Sequence, residues 1–248
     1  MTVTLLVLLV VLIGGPLATM AFGPVSVRGD WSTATHRSAG LAPDPVAHPE
    51  AVVQVYAART FGWRGAFAVH TWIAAKPADA AQYTRYEVIG WYARRGGGSG
   101  LSVQSGRAPD AEWYGAAPQL LRDLRGPQAE AVIARLDEVA AAYPHSTYRA
   151  WPGPNSNTFV AHVARAIPAL RVALPPHAVG KDYLPFGEFV APTPSNTGWQ
   201  AGVGGVLGIA VGVDEGLELN LLGLVAGIDL LPPGLKLPGI GRLPADRS

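Results

Sequence analysis

The stretch Pro152-Gly153-Pro154-Asn155-Ser156-Asn157-Thr158-Phe159 restricts the fold more than any other. Pro152, Gly153 and Pro154 cannot continue a preceding helix, and they fix the direction in which the chain arrives. Asn155 is a good N-cap, because its short amide accepts from the free N–H groups of a first helical turn. Val160, Val163, Ala164 and Ile167 then recur at helical spacing up to Pro168. Ser156 is therefore expected in the first turn of a buried helix, beside the positive end of its dipole. A nucleophile or an anion-binding group is often placed there. The plainer reading is that Asn155 and Ser156 only cap the helix, as these residue types commonly do.

Composition removes several function classes. A chain of 248 residues holds one large domain or two small ones. Apolar residues make up 49% and charged residues 15%, so a sizeable core is available and the surface carries little charge. The net charge is +1 with no basic stripe, which argues against a nucleic-acid partner. The absence of cysteine excludes disulfides, thiolate metal sites, lipidated cysteine and a cysteine nucleophile. The histidines are scattered without ligand spacing, so neither a metal nor a cofactor is expected.

Residues 3–22 form an apolar run without a charged side chain. At about 1.5 Å per helical residue such a run matches the ~30 Å of a bilayer core. Residues 1–22 are thus expected to be a transmembrane anchor or signal segment, giving a single-pass or exported protein that meets the membrane through this end. The lack of Lys or Arg ahead of the run weakens the signal-peptide version. Arg28 and Arg37 just after it favour a cytoplasmic flank. Residues 23–50, with their Gly and Pro, read as an extended linker whose Trp31 docks on the body.

The body opens with a strand over 51–58, then a second over 66–75 and a third over 83–92. On the second, Ala68, His70 and Trp72 share one face, and Phe67, Val69, Thr71 and Ile73 share the other. A hairpin centred near Asp79 and Ala80 brings His70 opposite Ile89, with Glu87 and Trp91 as diagonal neighbours. His70 and Glu87 can then interact, unless the register slips by one residue. The Gly-rich loop at 94–100 lacks a phosphate-loop pattern. A short strand is expected over 101–104, and helix over 119–143 split at Gly126-Pro127. Lys181 and Asp182 either line the site or form a surface ion pair. Residues 192–248 read as an apolar Gly-rich hairpin, with strands near 206–213 and 217–225, and a Pro- and Gly-rich tail lying on a core at 51–191. Asp214, Glu215 and Glu218 argue against a transmembrane hairpin there. A membrane-facing apolar surface is the alternative.

The order of a strand His, an aromatic strand and an Asn-X-Asn-Thr-Phe helix start resembles the circularly permuted papain-like fold of the PPPDE peptidases, and more distantly the lecithin:retinol acyltransferase group. PPPDE proteins carry His-Thr on one strand, Glu-Tyr on the next, and the nucleophile in Asn-Cys-Asn-Thr-Phe. This chain has His70-Thr71, a reversed Tyr86-Glu87, and Asn155-Ser156-Asn157-Thr158-Phe159. Residues 51–248 more closely resemble a bacterial membrane-associated family known only as a domain of unknown function. The matching pieces are Arg28-Gly29-Asp30-Trp31, Val53-Gln54-Val55-Tyr56, His70-Thr71-Trp72-Ile73, residues 151–159, Gly180-Lys181-Asp182-Tyr183 and residues 236–242. The resemblance implies an α+β fold, an antiparallel sheet packed with helices around a permuted papain-like core, and an extracytoplasmic body.

The nucleophile position holds Ser156 rather than Cys. A helix dipole alone cannot ionise a hydroxyl, so Ser156 needs a general base in contact, itself held by a third group. His70 is the natural base and Glu87 its orienter, with Asn157 and His145 as alternatives. Asn155, Asn157, His145 and Trp72 are the candidate substrate-binding residues. Two functions follow. The first is a serine-dependent hydrolase or acyltransferase acting on an amide, ester or thioester. The second is an inactive module that binds an envelope peptide or lipid.

Overall fold

The computed structural model describes residues 2–25, 32 and 34–245, with side chains from residue 10 onward. Arg28, Asp30 and the expected docking of Trp31 lie outside the described residues. Among the described residues the chain is α+β, with two antiparallel sheets and four α-helices.

The first sheet contains β1 (Val52–Arg59), β2 (Val69–Lys76), β3 (Thr84–Val88), β4 (Leu101–Ser105) and β5 (Gln119–Arg125), in the order β4-β3-β2-β1-β5. β1 and β2 are β-branched and aromatic, and both of their faces are covered. On one face, Val53, Val55, Val69 and Ile73 pack under α3 (Pro127–Ala141) and α4 (Ser156–Ala166). On the other, Val52, Tyr56, Trp72 and Trp113 form a second cluster beneath the chain that follows β4. The hairpin register pairs Ile73 with Tyr86 and Ala75 with Thr84, which is the expected register.

Three local expectations change. Residues 119–125 are an edge strand rather than helix, because Val52 and Val53 pair with Arg125 and Leu124, and tertiary pairing outweighs the helical preference of Leu and Arg. The helix after Gly126 forms as expected, with Pro127 in its first turn. The third strand stops at Val88 and is followed by α2 (Gly90–Gly96), whose first residue lies so close to the Tyr148 ring that a Cβ there would strike it. The 34–50 segment is tied down rather than a free linker: the Asp110 carboxylate accepts from the Leu41 and Ala42 amides at 2.6 and 3.1 Å.

The second sheet is a meander of β6 (Val190–Pro192), β7 (Gly198–Val203), β8 (Leu207–Gly212), β9 (Gly216–Leu221), β10 (Leu224–Leu230), β11 (Pro233–Leu237) and β12 (Gly241–Leu243). The expected hairpin is β8 and β9. The segment expected to run on to residue 225 is cut by the turn Leu222-Gly223, both at positive φ, which suits a two-residue hairpin loop. Trp151 donates from its indole nitrogen to the Leu222 carbonyl at 2.8 Å, tying this turn to the Pro152 stretch. The tail expected to lie over the core instead supplies β11 and β12.

Strand pairing fixes which side chains share a face. Glu218 lies opposite Ala210 and Gly227, Gly227 opposite Lys236, and Lys236 opposite Arg242. This face is turned to the body, and Glu218 and Lys236 are buried there. The outward face holds Ile209 opposite Leu219, Val211 opposite Leu217 and Trp199, and Leu235 opposite Ile228 and Leu243, all exposed.

Helix α1 (Thr2–Phe22) lies against the turn between β11 and β12. Leu12, Gly15, Pro16 and Thr19 are its buried stripe, at i, i+3, i+4 and i+7. Gly15 meets the Pro238 carbonyl so closely that a Cβ would collide with it, and Thr19 Oγ1 donates to the Gly239 carbonyl at 3.2 Å. Among the described residues, no helix is long and apolar enough to cross a membrane.

Candidate functional site

The start of α4 is built as the sequence suggests. Asn155 is the N-cap, and its Oδ1 accepts from the Asn157 and Thr158 amides at 2.9 and 3.2 Å. The Asn155 amide in turn donates to Thr158 Oγ1 at 3.1 Å, completing a capping box. The other groups of the motif tie α4 to its neighbours. Asn157 donates to the carbonyls of Val69 and Val179 at 3.0 and 2.8 Å and accepts from Thr71 Oγ1 at 2.9 Å. Asn155 donates to the Val179 and Ala150 carbonyls. Asn155 and Asn157 are thus splices between α4, β2 and the 178–181 segment. Their side-chain groups are engaged within the protein, and both residues are buried. No hydrogen bond to the Ser156 hydroxyl is present among the described residues.

His70 and Glu87 do meet. His70 Nε2 lies 2.9 Å from Glu87 Oε2, with both residues buried. Arg85 Nη2 donates to the same oxygen at 3.1 Å, and Arg107 lies 3.4 Å from the other. Burial pushes the His70 pKa below its ordinary value, against the pull of Glu87. Burial works against the charge of Glu87 too, but His70 and the two guanidiniums hold its pKa below the usual carboxylate range. The pair is therefore a neutral imidazole donating to an ionised carboxylate.

This pair does not reach Ser156. Side chains alternate along a strand, and Thr71 is the residue of β2 that faces α4, donating to the Ser156 carbonyl at 3.3 Å. His70 points to the opposite face, where its ring stacks on Trp113 with centroids 3.6 Å apart. The sheet therefore lies between the expected base and the expected nucleophile. Asn155 Oδ1 also occupies first-turn amides that an oxyanion would need.

The remaining candidates occupy other settings. Trp72 is fully buried, donates to the Pro109 carbonyl at 2.7 Å and carries the Arg85 guanidinium over its ring, so it is core rather than a lining residue. His145 sits edge-on between Tyr143 and Tyr183, and burial lowers its pKa. Lys181 is buried rather than on the surface, and its ammonium binds Glu218 at 2.6 Å across to the second sheet. Burial opposes that charge, but Glu218 and Asp182 hold the Lys181 pKa above its ordinary value.

A different place has the shape of a binding site. A cleft of about 330 Å³ lies between the edge strand β5 and the second sheet, and Gln119, Leu121, His177, Lys236 and Arg242 are among its lining residues. Leu121 is the extra residue of a β-bulge in β5. Nδ1 of the buried His177 has no hydrogen-bond partner among the described residues. Burial, then Arg59 and Lys181, push this ring's pKa down to about 3, so it is neutral near pH 7. Sequence reasoning missed His177 because nothing in Pro175-Pro176-His177 marks a ring that a later strand will cover. Among the described residues no group of three or more acidic or imidazole side chains is placed to hold a metal.

Among the described residues, antiparallel sheets, four α-helices and a structurally committed Asn155–Thr158 motif define an α+β protein, with no hydrogen-bonded catalytic dyad at that motif. A family model described as "Protein of unknown function (DUF3750)" matches residues 50–183, more than half of the chain, and the chain belongs to that family. No curated protein and no solved structure matches it.

Proposed function

We propose that the protein is a binding module held at a membrane, with the cleft between β5 and the second sheet as its ligand site. The observation that carries this reading is the buried, unpartnered Nδ1 of His177 in the lining of that cleft. Buried polar atoms are nearly always paired, so one left without a partner marks a place where a ligand group or water completes the bonding. The volume lies at the lower end of the range for small-ligand sites. The bordering strand β5 is a sheet edge, so an extended peptide is the ligand class whose backbone can pair there. The charged groups lining the cleft are already engaged: Arg242 pairs with Asp229, and Lys236 with Glu218. This favours an uncharged backbone over a phosphate. Membrane attachment rests on the apolar helix α1, and an envelope location for the body rests on the family resemblance.

The hydrolase or acyltransferase reading needs the His70 ring at the Ser156 hydroxyl, and the sheet between them speaks against it. The permuted papain-like core is supported by the His70-Thr71 and Asn155–Phe159 motifs alone. The test passes a pool of short random peptides over the immobilised full chain and treats the same protein with a fluorophosphonate. Peptide retention by wild type, its loss in Leu121→Trp, and no labelling of either are the expected results. Labelling of wild type that disappears in Ser156→Ala would restore the enzyme.

A further inference from the structure

The second sheet is built inside out. Its charged side chains, Glu218, Asp229, Lys236 and Arg242, all lie on the face turned to the body. Among the described residues, no outward position of β6 to β12 carries a charged side chain, and Trp199 alone carries a hydrogen-bonding group there. Ordinary half-buried sheets alternate the other way, apolar in and polar out. Burying ions while exposing Leu207, Ile209, Val211 and Leu219 is unfavourable on both counts in water.

We infer that the outward face of the second sheet rests on the hydrocarbon side of a lipid surface, as a monotopic contact separate from the ligand cleft. Three features select lipid over a protein partner. A protein interface of this extent carries a hydrogen bond per 100–200 Å² or so and a polar rim, whereas this face offers almost nothing to bond with. Aromatic side chains gather at one border. Trp199 lies beside Pro192, and exposed Phe186 and Phe189 lead into β6. Amphipathic aromatic rings such as Trp favour the headgroup level. Finally, the apolar helix α1 docks on the β11–β12 turn of this same sheet and exposes Leu17 and Phe22, a second apolar element beside it. The strands are too short to cross. β7 to β10 hold six or seven residues each, and a spanning strand needs about 9–11. The sheet lies on the bilayer rather than through it.

The chain has no cysteine, so a single introduced thiol reports one position. Full-length Ile209→Cys, Leu219→Cys and, as reference on α3, Glu138→Cys are labelled with an environment-sensitive nitrobenzoxadiazole and reconstituted into phosphatidylcholine vesicles. At 209 and 219 the emission shifts to the blue and is quenched by nitroxide on the lipid acyl chains. At 138 neither happens. Adding Leu217→Glu and Leu219→Glu to the Ile209→Cys protein abolishes the quenching at 209 while α1 stays in place. A water-exposed probe at 219 in vesicles would overturn the proposal. So would a probe shielded without lipid quenching, together with a 219–219 disulfide between copies when the unlabelled Leu219→Cys protein is oxidised with copper phenanthroline, which would give the face to a second chain.

Discussion

The two sheets use the same alternation to opposite ends. In the first, both faces of β1 and β2 are covered, and the buried ions Arg85 and Glu87 sit beside an aromatic cluster against which His70 stacks. In the second, one face carries ions sealed against the body and the other is apolar and bare. The period of two tells which residues share a face, but it does not say which face is inside. That is decided by partners: Glu218 can be buried because Lys181 arrives from the 178–181 segment and Lys236 from β11.

The sharpest way to break this contrast is to change adjacent residues of β9. Glu218→Ala strips the carboxylate from two buried ammonium groups, and its unfolding free energy should fall by about 3–5 kcal/mol. Leu219→Ser, one residue on and outward, should change it by less than about 0.5 kcal/mol. Equal losses in urea unfolding would mean that the outward face is packed after all. The same test with one residue type pairs Ile73→Ala in the first sheet, expected to cost about 2–5 kcal/mol, with Ile209→Ala, expected near 1 or below. Asn157→Ala removes three buried hydrogen bonds that tie α4 to β2 and the 178–181 segment, and should cost about 1–3 kcal/mol with no change at the outward face.

Acid should strike the body before the outward face matters. His70 and His177 have pKa values below the ordinary 6.5 when folded, so the unfolded chain takes up their protons first. The stabilisation is complete above about pH 6.5 and is lost as pH falls, continuing toward about 3 for His177. Each ring contributes a slope of up to about 1.4 kcal/mol per pH unit. Urea midpoints measured from pH 7 to pH 4 should show it, and His177→Phe should remove one proton's share. The smallest effect belongs to Ser156→Ala, within about 0.5 kcal/mol, because that hydroxyl makes no hydrogen bond among the described residues. A larger loss would show a role that the geometry lacks.

Much of the fold was legible. The Pro152–Phe159 motif marked the α4 start and its cap, and the hairpin register followed from the turn near Asp79. The His70–Glu87 contact followed from that register. What failed was depth. Reading His70 and Ser156 as partners needed to know which face of β2 receives α4, and His70 and Thr71 are equally good candidates from sequence alone. Residues 119–125 misled because Leu and Arg favour helix while β1 needed an edge partner. Lys181 and Glu218 are 37 residues apart and carry no local mark of their pairing.

The Leu222-Gly223 turn sets the phase of everything after it. Because two residues separate the paired Leu221 and Leu224, odd and even positions exchange sides between β9 and β10. Glu218 and Asp229 thereby end on a common side, although one number is even and the other odd. A related chain longer by one residue here keeps Asp229, Lys236 and Arg242 inside as long as Leu221 and Leu224 stay paired, because cross-strand partners share a face whatever the loop length. What would turn those charges outward is a one-residue slip of β10 against β9, which would carry Ile228 and Leu230 inward at the same time.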